Sequence, residues 1–356
     1  MNSLIQALRG LAVMMVVFYH SRLIFPGGFV GVDVFFVISG FLIASTLFRQ
    51  LAESRSYPRV IREFYVRRFM RLVPALSVTT LVSVTISFFV FSPYIEFSQI
   101  SVSAISALTF IANARFFLLN DYTSLTADPF RHAWSLAVEE QFYLIFPFGV
   151  IAIVMLFGRK NYLRNLLLAA LILVITSFVL SVALSQGIRI TPLPRRFAFY
   201  SPFSRAWQIG LGVLLAVVQD RVVIWMGRRG LARVVVMVGT FLIVFSGVKL
   251  DESVDHPGVR AVAPVLGAVL VIAGGLALSD WRPPVIRLFQ HFGDISYSLY
   301  LIHWPLLVLA RRALSDTELV ALLSIPAAYP LAVLQFRLVE RRFWSPKRPL
   351  DASTSP

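Results

Sequence analysis

Apolar runs, each about as long as a bilayer crossing, follow one another along nearly the whole chain. A membrane-spanning helix needs roughly 20 mostly apolar residues at about 1.5 Å of rise each. Ten runs meet that length, near residues 4–24, 30–49, 72–92, 137–158, 165–185, 203–219, 232–248, 260–279, 295–310 and 317–337. The stretch Ile100 to Leu119 is also apolar but carries Asn113 and Arg115. It reads as a re-entrant or interfacial helix, because a further crossing would spoil the asymmetry of the charges. The pattern predicts an all-α, polytopic membrane helix bundle of about ten transmembrane helices.

Composition agrees. Of the 356 residues 58 % are hydrophobic and 14 % charged, where a soluble domain carries about 25 % charged residues. A mean hydropathy of +0.77 excludes a soluble globular enzyme and a disordered chain. The chain has no cysteine, which excludes disulfide scaffolds, thiol nucleophiles, thiolate zinc sites and iron–sulfur clusters. The net charge is +15. With the N-terminus in the cytoplasm, 22 of the 33 basic residues fall inside, seven of them arginines between 49 and 71. That is the positive-inside arrangement for both termini cytoplasmic, so the basic excess reflects cytoplasmic segments rather than nucleic-acid binding. The first run lacks a basic leader and the next follows within about six residues, so it reads as a retained helix, not a signal peptide. Residues 1–345 are expected to form one membrane domain and 346–356 a short cytoplasmic tail, with no fused soluble domain. Any chemistry then sits inside the bundle or at its mouths.

Ionisable groups in hydrocarbon are costly and mark functional sites. Arg9 and His20 stand eleven residues apart in the first run, about 16 Å of rise and about 20° in azimuth, so one helix face carries both. A snorkelling arginine and a core histidine would also account for them. Asp33 follows the turn containing Pro26, Gly27 and Gly28, on the side of the membrane where the first helix ends. A carboxylate near His20 would fix its tautomer and raise its basicity, and a helix-capping aspartate would sit there too. Gly31 and Gly40 suit close helix packing. Arg68 and Arg71 share a face at i, i+3 spacing, and their planar forks suit phosphate oxygens, whether of a ligand or of lipid headgroups. Ser135, Glu139 and Tyr143 share a face at the start of the fourth run. Glu139 is preferred over its neighbour Glu140 for that reason, although both would also complement the helix dipole. His303 lies within a run beside Pro305 and would line a cavity, whereas His256 and His291 read as solvated loop residues. There is no phosphate-binding glycine loop, no GxSxG, no HExxH and no cluster with metal-ligand spacing.

In this order the motifs resemble the acyltransferase-3 family of bacterial membrane acyltransferases, which includes O-antigen and exopolysaccharide acetyltransferases. Arg9-x10-His20, the block Gly31 to Phe41, Arg68-x-x-Arg71, Trp134 to Pro147 and Ser296 to Pro305 match five family motifs over nearly the whole chain. The resemblance implies a multi-pass enzyme of the bacterial cytoplasmic membrane. It would transfer an acyl group, most often acetyl, from cytoplasmic acyl-CoA to a hydroxyl of a cell-surface or lipid-linked glycan. Acyl-CoA would be a co-substrate, with no permanently bound cofactor or metal, and membrane lipids would surround the site. Arg9, Arg68 and Arg71 are expected to hold the donor. His20 would be general base or transient acyl acceptor, oriented by Asp33 or Glu139. Ser135, Tyr143, Arg205 and His303 are assigned to the cavity and the acceptor side. Gln208 stands where many relatives carry glutamate, a departure that questions acid–base chemistry there. The expected outer loop Gly187 to Arg196 is basic, which would suit an anionic glycan. A transporter, or a non-catalytic subunit of a polysaccharide export system, would also bury ionisable groups, but would not need an arginine pair aligned with a histidine.

Overall fold

A computed structural model of the chain describes residues 3–22, 24–92, 95–119, 128–251, 255–278, 281 and 283–343. The expected tail at 346–356 lies outside them. The described residues form helices α1 (Ser3–His20), α2 (Val30–Glu53), α3 (Tyr57–Val90), α4 (Glu96–Leu108) and α5 (Ala112–Leu118). There follow α6 (Ala133–Ser185), α7 (Pro194–Tyr200), α8 (Pro202–Trp225), α9 (Arg229–Lys249) and α10 (Val262–Ala277). The last long elements are α11 (Pro284–Asp294), α12 (Ser296–Ala313) and α13 (Glu318–Gln335), which runs into a π-helical turn, Phe336–Glu340. No strand occurs among the described residues.

Each of the ten apolar runs is helical, but eight helical stretches are long and apolar enough to cross a membrane. Two effects account for the difference. Helix α6 has 53 residues, about 80 Å of rise against a hydrocarbon core of about 30 Å. It breaks at Gly158, whose φ of +73° lies where a side chain would be strained. The two arms are the runs 137–158 and 165–185. Helix α12 has 18 residues, but Arg311 and Arg312 in its last turn hold its hydropathy down, and so do Ser296, Tyr297, Ser298, Tyr300 and His303 nearer its start. The five nearer its start are buried. They face protein, which is where polar groups in a membrane bundle belong.

The segment 100–119 is divided between α4 and α5, neither of them long enough to span. They meet at Phe110, a non-glycine residue with φ of +56°, whose carbonyl accepts from Gln141 Nε2 at 2.9 Å. Asn113 is buried and exchanges amide bonds with Gln141 at 2.9 and 3.2 Å. The polar residue that argued against a crossing thus docks α5 onto α6. The arginine-rich stretch 49–71 is mostly helical, with only residues 54–56 outside α2 and α3. Next to the break in α6, Arg159 donates to the carbonyls of Leu51 and Ser54 at 2.6 and 2.9 Å, closing the end of α2 as C-terminal basic residues do.

Contacts between backbones fix the helix rotations that matter for the site. A Cβ on Gly40 would strike the Ile209 carbonyl, and one on Gly212 the Val37 carbonyl. Helices α2 and α8 therefore meet main chain to main chain, as small residues permit in membranes. Gly31 is pressed in the same way on the Ala12 carbonyl of α1. The outside of the bundle is apolar: Leu81, Phe89, Ile145 and Leu156 are all exposed.

Candidate active site

Helices α1, α2, α3, α6 and α12 enclose a cleft of about 810 Å³, counting its open mouth. Arg9, Arg68 and Arg71 line it together with Ser39, Ser135, Glu139, Glu140, Tyr143 and Tyr300. The three arginines expected to share a function therefore share a cavity with Ser135, Glu139 and Tyr143, the predicted face of α6. Arg68 is not left open toward a ligand. Its guanidinium meets Glu139 and Glu140, each at 2.9 Å, and lies 3.6 Å from the centre of the Tyr143 ring. Glu139 also accepts from Ser39 Oγ at 2.6 Å and from the Tyr143 hydroxyl. The choice between the two glutamates was too narrow, since both neutralise Arg68. A third carboxylate was missed altogether. Glu340, at the end of the π-turn, is buried, accepts from Ser298 Oγ, and acts electrostatically on Arg9 and Arg71. Its signal in the sequence is a lone acid in Phe336–Glu340; π-turns are enriched at functional sites, but the spacing of residues does not announce them.

Farther along the same interior, Ser135 Oγ and the Tyr300 hydroxyl lie 2.6 Å apart, and Tyr300 donates to the His132 carbonyl at 2.9 Å. Tyr300 separates the cleft from an imidazole cluster. His20 Nδ1 and His303 Nε2 are 2.9 Å apart, and His303 Nδ1 is 3.1 Å from the Leu299 carbonyl. Trp304 packs on the His20 ring with centroids 4.6 Å apart, and the His132 ring lies 5.9 Å from that of His303. Burial pushes the His132 imidazole, just before α6, well below the ordinary histidine range, with His303 adding to the effect; it is neutral near pH 7. His303 thus sits beside His20, and neither histidine lines the cleft itself. Sequence spacing gave no reason to pair residues 283 positions apart.

Asp33 does not orient His20. It is fully buried and accepts from Arg205 Nη1 at 2.9 Å and Gln208 Nε2 at 2.7 Å, with His256 Nε2 3.1 Å from its other oxygen. The reason is its position on α2. Asp33 and Gly40 are seven residues apart, two turns, and so share the face pressed on α8, whereas Gly31 lies on the face toward α1. Nor does Glu139 reach His20, being held by Arg68, Ser39 and Tyr143. Arg205 is buried away from the cleft, its Nε donating to the Phe199 carbonyl at 3.0 Å. His256, expected in solvent, is 7 % exposed against Asp33. His291 is exposed as expected, though within α11, and bonds the Tyr329 hydroxyl at 2.8 Å. At position 208 an amide donates to Asp33 where a glutamate would add a second buried carboxylate.

The fold and this interior define a polytopic membrane protein with a charged cleft running toward paired histidines. The chain belongs to a family of acyltransferases: residues 2–335 match the family model described as an acyltransferase domain. It is 30 % identical to the peptidoglycan O-acetyltransferase OatA of Listeria monocytogenes over 94 % of this chain and 54 % of that protein. It is 27 % identical to the O-acetyltransferase OatA of Staphylococcus aureus over 94 % of this chain and 56 % of that one. The chain thus spans about half the length of these curated relatives. No solved structure matches it.

Proposed function

We propose that the chain transfers an acyl group, acetyl in the first instance, from acyl-CoA to a hydroxyl of a cell-wall or cell-surface glycan. The observation that carries this reading is the polar strip through an otherwise apolar bundle. It starts at Arg9, Arg68 and Arg71, passes Glu139, Ser135 and Tyr300, and ends at His20 and His303. The arginine end faces the cytoplasm when the N-terminus does, and the histidine end lies on the opposite side. The Listeria relative's O-acetylation of peptidoglycan supports a glycan acceptor.

In this mechanism the donor's phosphates lie at the arginine end. Arg9 and Arg71 face them, while Arg68 holds Glu139 and Glu140 in place. The thioester reaches the His20 end of the strip. His20 takes the proton of the acceptor hydroxyl, the oxygen attacks the thioester carbonyl, a C–O bond forms and the C–S bond breaks. The proton held by His20 passes to the departing thiolate, so no net charge is left behind. General bases of this kind contribute about 10²–10⁴-fold.

Single-turnover transfer from acetyl-CoA to a glycan acceptor, with the protein in nanodiscs, tests the reading. His20→Gln keeps size and a hydrogen bond but is not a base near neutral pH, so transfer should fall by at least about 100-fold. Acetyl-CoA affinity on the same sample should stay within about twofold. A fully active His20→Gln protein would sink the mechanism. In cells, mass spectrometry of surface glycans with and without the gene should show the acyl group on a sugar.

A further inference from the structure

We propose that His303 is a positioning residue that sets the tautomer of His20, carrying the polarity of the Leu299 carbonyl through two imidazoles to the reactive nitrogen. The proposal rests on His20 acting as the base described above.

The chain of bonds fixes every proton. A backbone carbonyl only accepts, with a second lone pair available beyond its helix bond. His303 Nδ1, 3.1 Å from the Leu299 oxygen, is therefore the protonated nitrogen of that ring. A neutral imidazole has one N–H, so His303 Nε2 bears a lone pair. His20 Nδ1, 2.9 Å from it, must then donate. The remaining nitrogen, His20 Nε2, is left unprotonated, and no described residue bonds it. His20 is half-buried rather than sealed, and in the mechanism above the acceptor hydroxyl meets that nitrogen. The opposite tautomer would set two lone pairs against each other at 2.9 Å.

The arrangement also suits the charged state. When Nε2 takes a proton, His20 keeps its Nδ1–H on His303, and that bond becomes charge-assisted and stronger. The rings around the pair restrict its motion: Trp304 lies on His20, and Tyr300 and His132 flank His303. This is the part that an orienting carboxylate plays beside many catalytic histidines. Here Asp33 and Glu139 are both engaged elsewhere, and a neutral imidazole anchored on main chain takes the place.

The test is nitrogen-15 NMR of the full chain in nanodiscs, with histidine labelled and His20 assigned by the signal lost in His20→Gln. The chain has five histidines, so the spectrum is simple. Wild-type His20 should carry its proton on Nδ1. His303→Leu removes the acceptor, so the His20 proton should move largely to Nε2. Its kcat should fall by about 10–100-fold, the range seen when a metal-ligating histidine loses its hydrogen-bond partner, with KM for acetyl-CoA within twofold. His303→Gln, whose side-chain carbonyl reaches the position of Nε2, should restore the Nδ1–H form and most of the rate. A wild-type His20 protonated on Nε2, or a tautomer unchanged in His303→Leu, overturns the proposal. So does a His303→Gln protein as slow as His303→Leu. The tautomer is read without turnover, so a failure of the acyl-transfer reading shows separately, as full activity in His20→Gln.

Discussion

Arg68 and Arg71 are three residues apart on one helix, yet their surroundings give them different work. Arg68 is bound on two sides by carboxylates and underlaid by an aromatic ring. Arg68→Ala would leave Glu139 and Glu140, both partly buried, adjacent and unneutralised, at a cost of about 1–3 kcal/mol, since some water still reaches them. A lowered melting temperature in detergent, before any assay with donor, is the expected result. Arg71→Ala should weaken acetyl-CoA binding by about 1.5–3 kcal/mol, the worth of a hydrogen bond to a charged group. Arg71→Lys should recover only part of it, since the planar fork is lost. Equal donor affinity in wild type and Arg71→Ala, measured by calorimetry, would remove Arg71 from the donor site. Helical spacing made Arg9 and His20, and Ser135, Glu139 and Tyr143, legible as shared faces. It said nothing of Glu340 or of the His20–His303 bond, because neither partner is near in sequence.

Between elements, the decisive contact is that of α2 with α8. Gly40 and Gly212 let the two backbones touch, and that contact turns Asp33 toward Arg205 and away from α1. The Asp33–Arg205 pair is nearly inaccessible, each side chain 1 % exposed. Asp33→Ala would leave a buried guanidinium with the Phe199 carbonyl, His256 Nε2 at 3.4 Å and ring faces as its partners. A loss of about 3–5 kcal/mol is expected, seen as lower thermal stability and yield. If Asp33 oriented His20 instead, Asp33→Ala would slow transfer in a protein of normal stability, and that outcome would contradict the packing. Gly212→Leu should give the same destabilisation by forcing α8 off the Val37 carbonyl. Gly31 and Gly40 were legible as packing glycines; which helix each one faces was not, since a helix's rotation about its axis is set by its neighbours.

For the molecule as a whole, the charge asymmetry predicts both termini in the cytoplasm. Reporter fusions after residue 125 and after residue 255 should both report the extracytoplasmic side. A cytoplasmic signal after residue 125 would mean that 100–119 crosses the membrane, against the two short helices seen there. The class of fold and the family were determined by the sequence alone, because long apolar runs can satisfy their backbone in hydrocarbon only as helices. The run lengths located the helices, and periodicity located the faces on which charges lie. Only the tertiary structure decided which charges meet. Arg68 pairs with Glu139 and Glu140, Asp33 with Arg205, and His20 with His303 because helix rotation and close glycine contacts bring residues together from far along the chain. Local spacing carries no record of those neighbours, and in a medium that offers a buried charge no water the neighbour determines what the residue does.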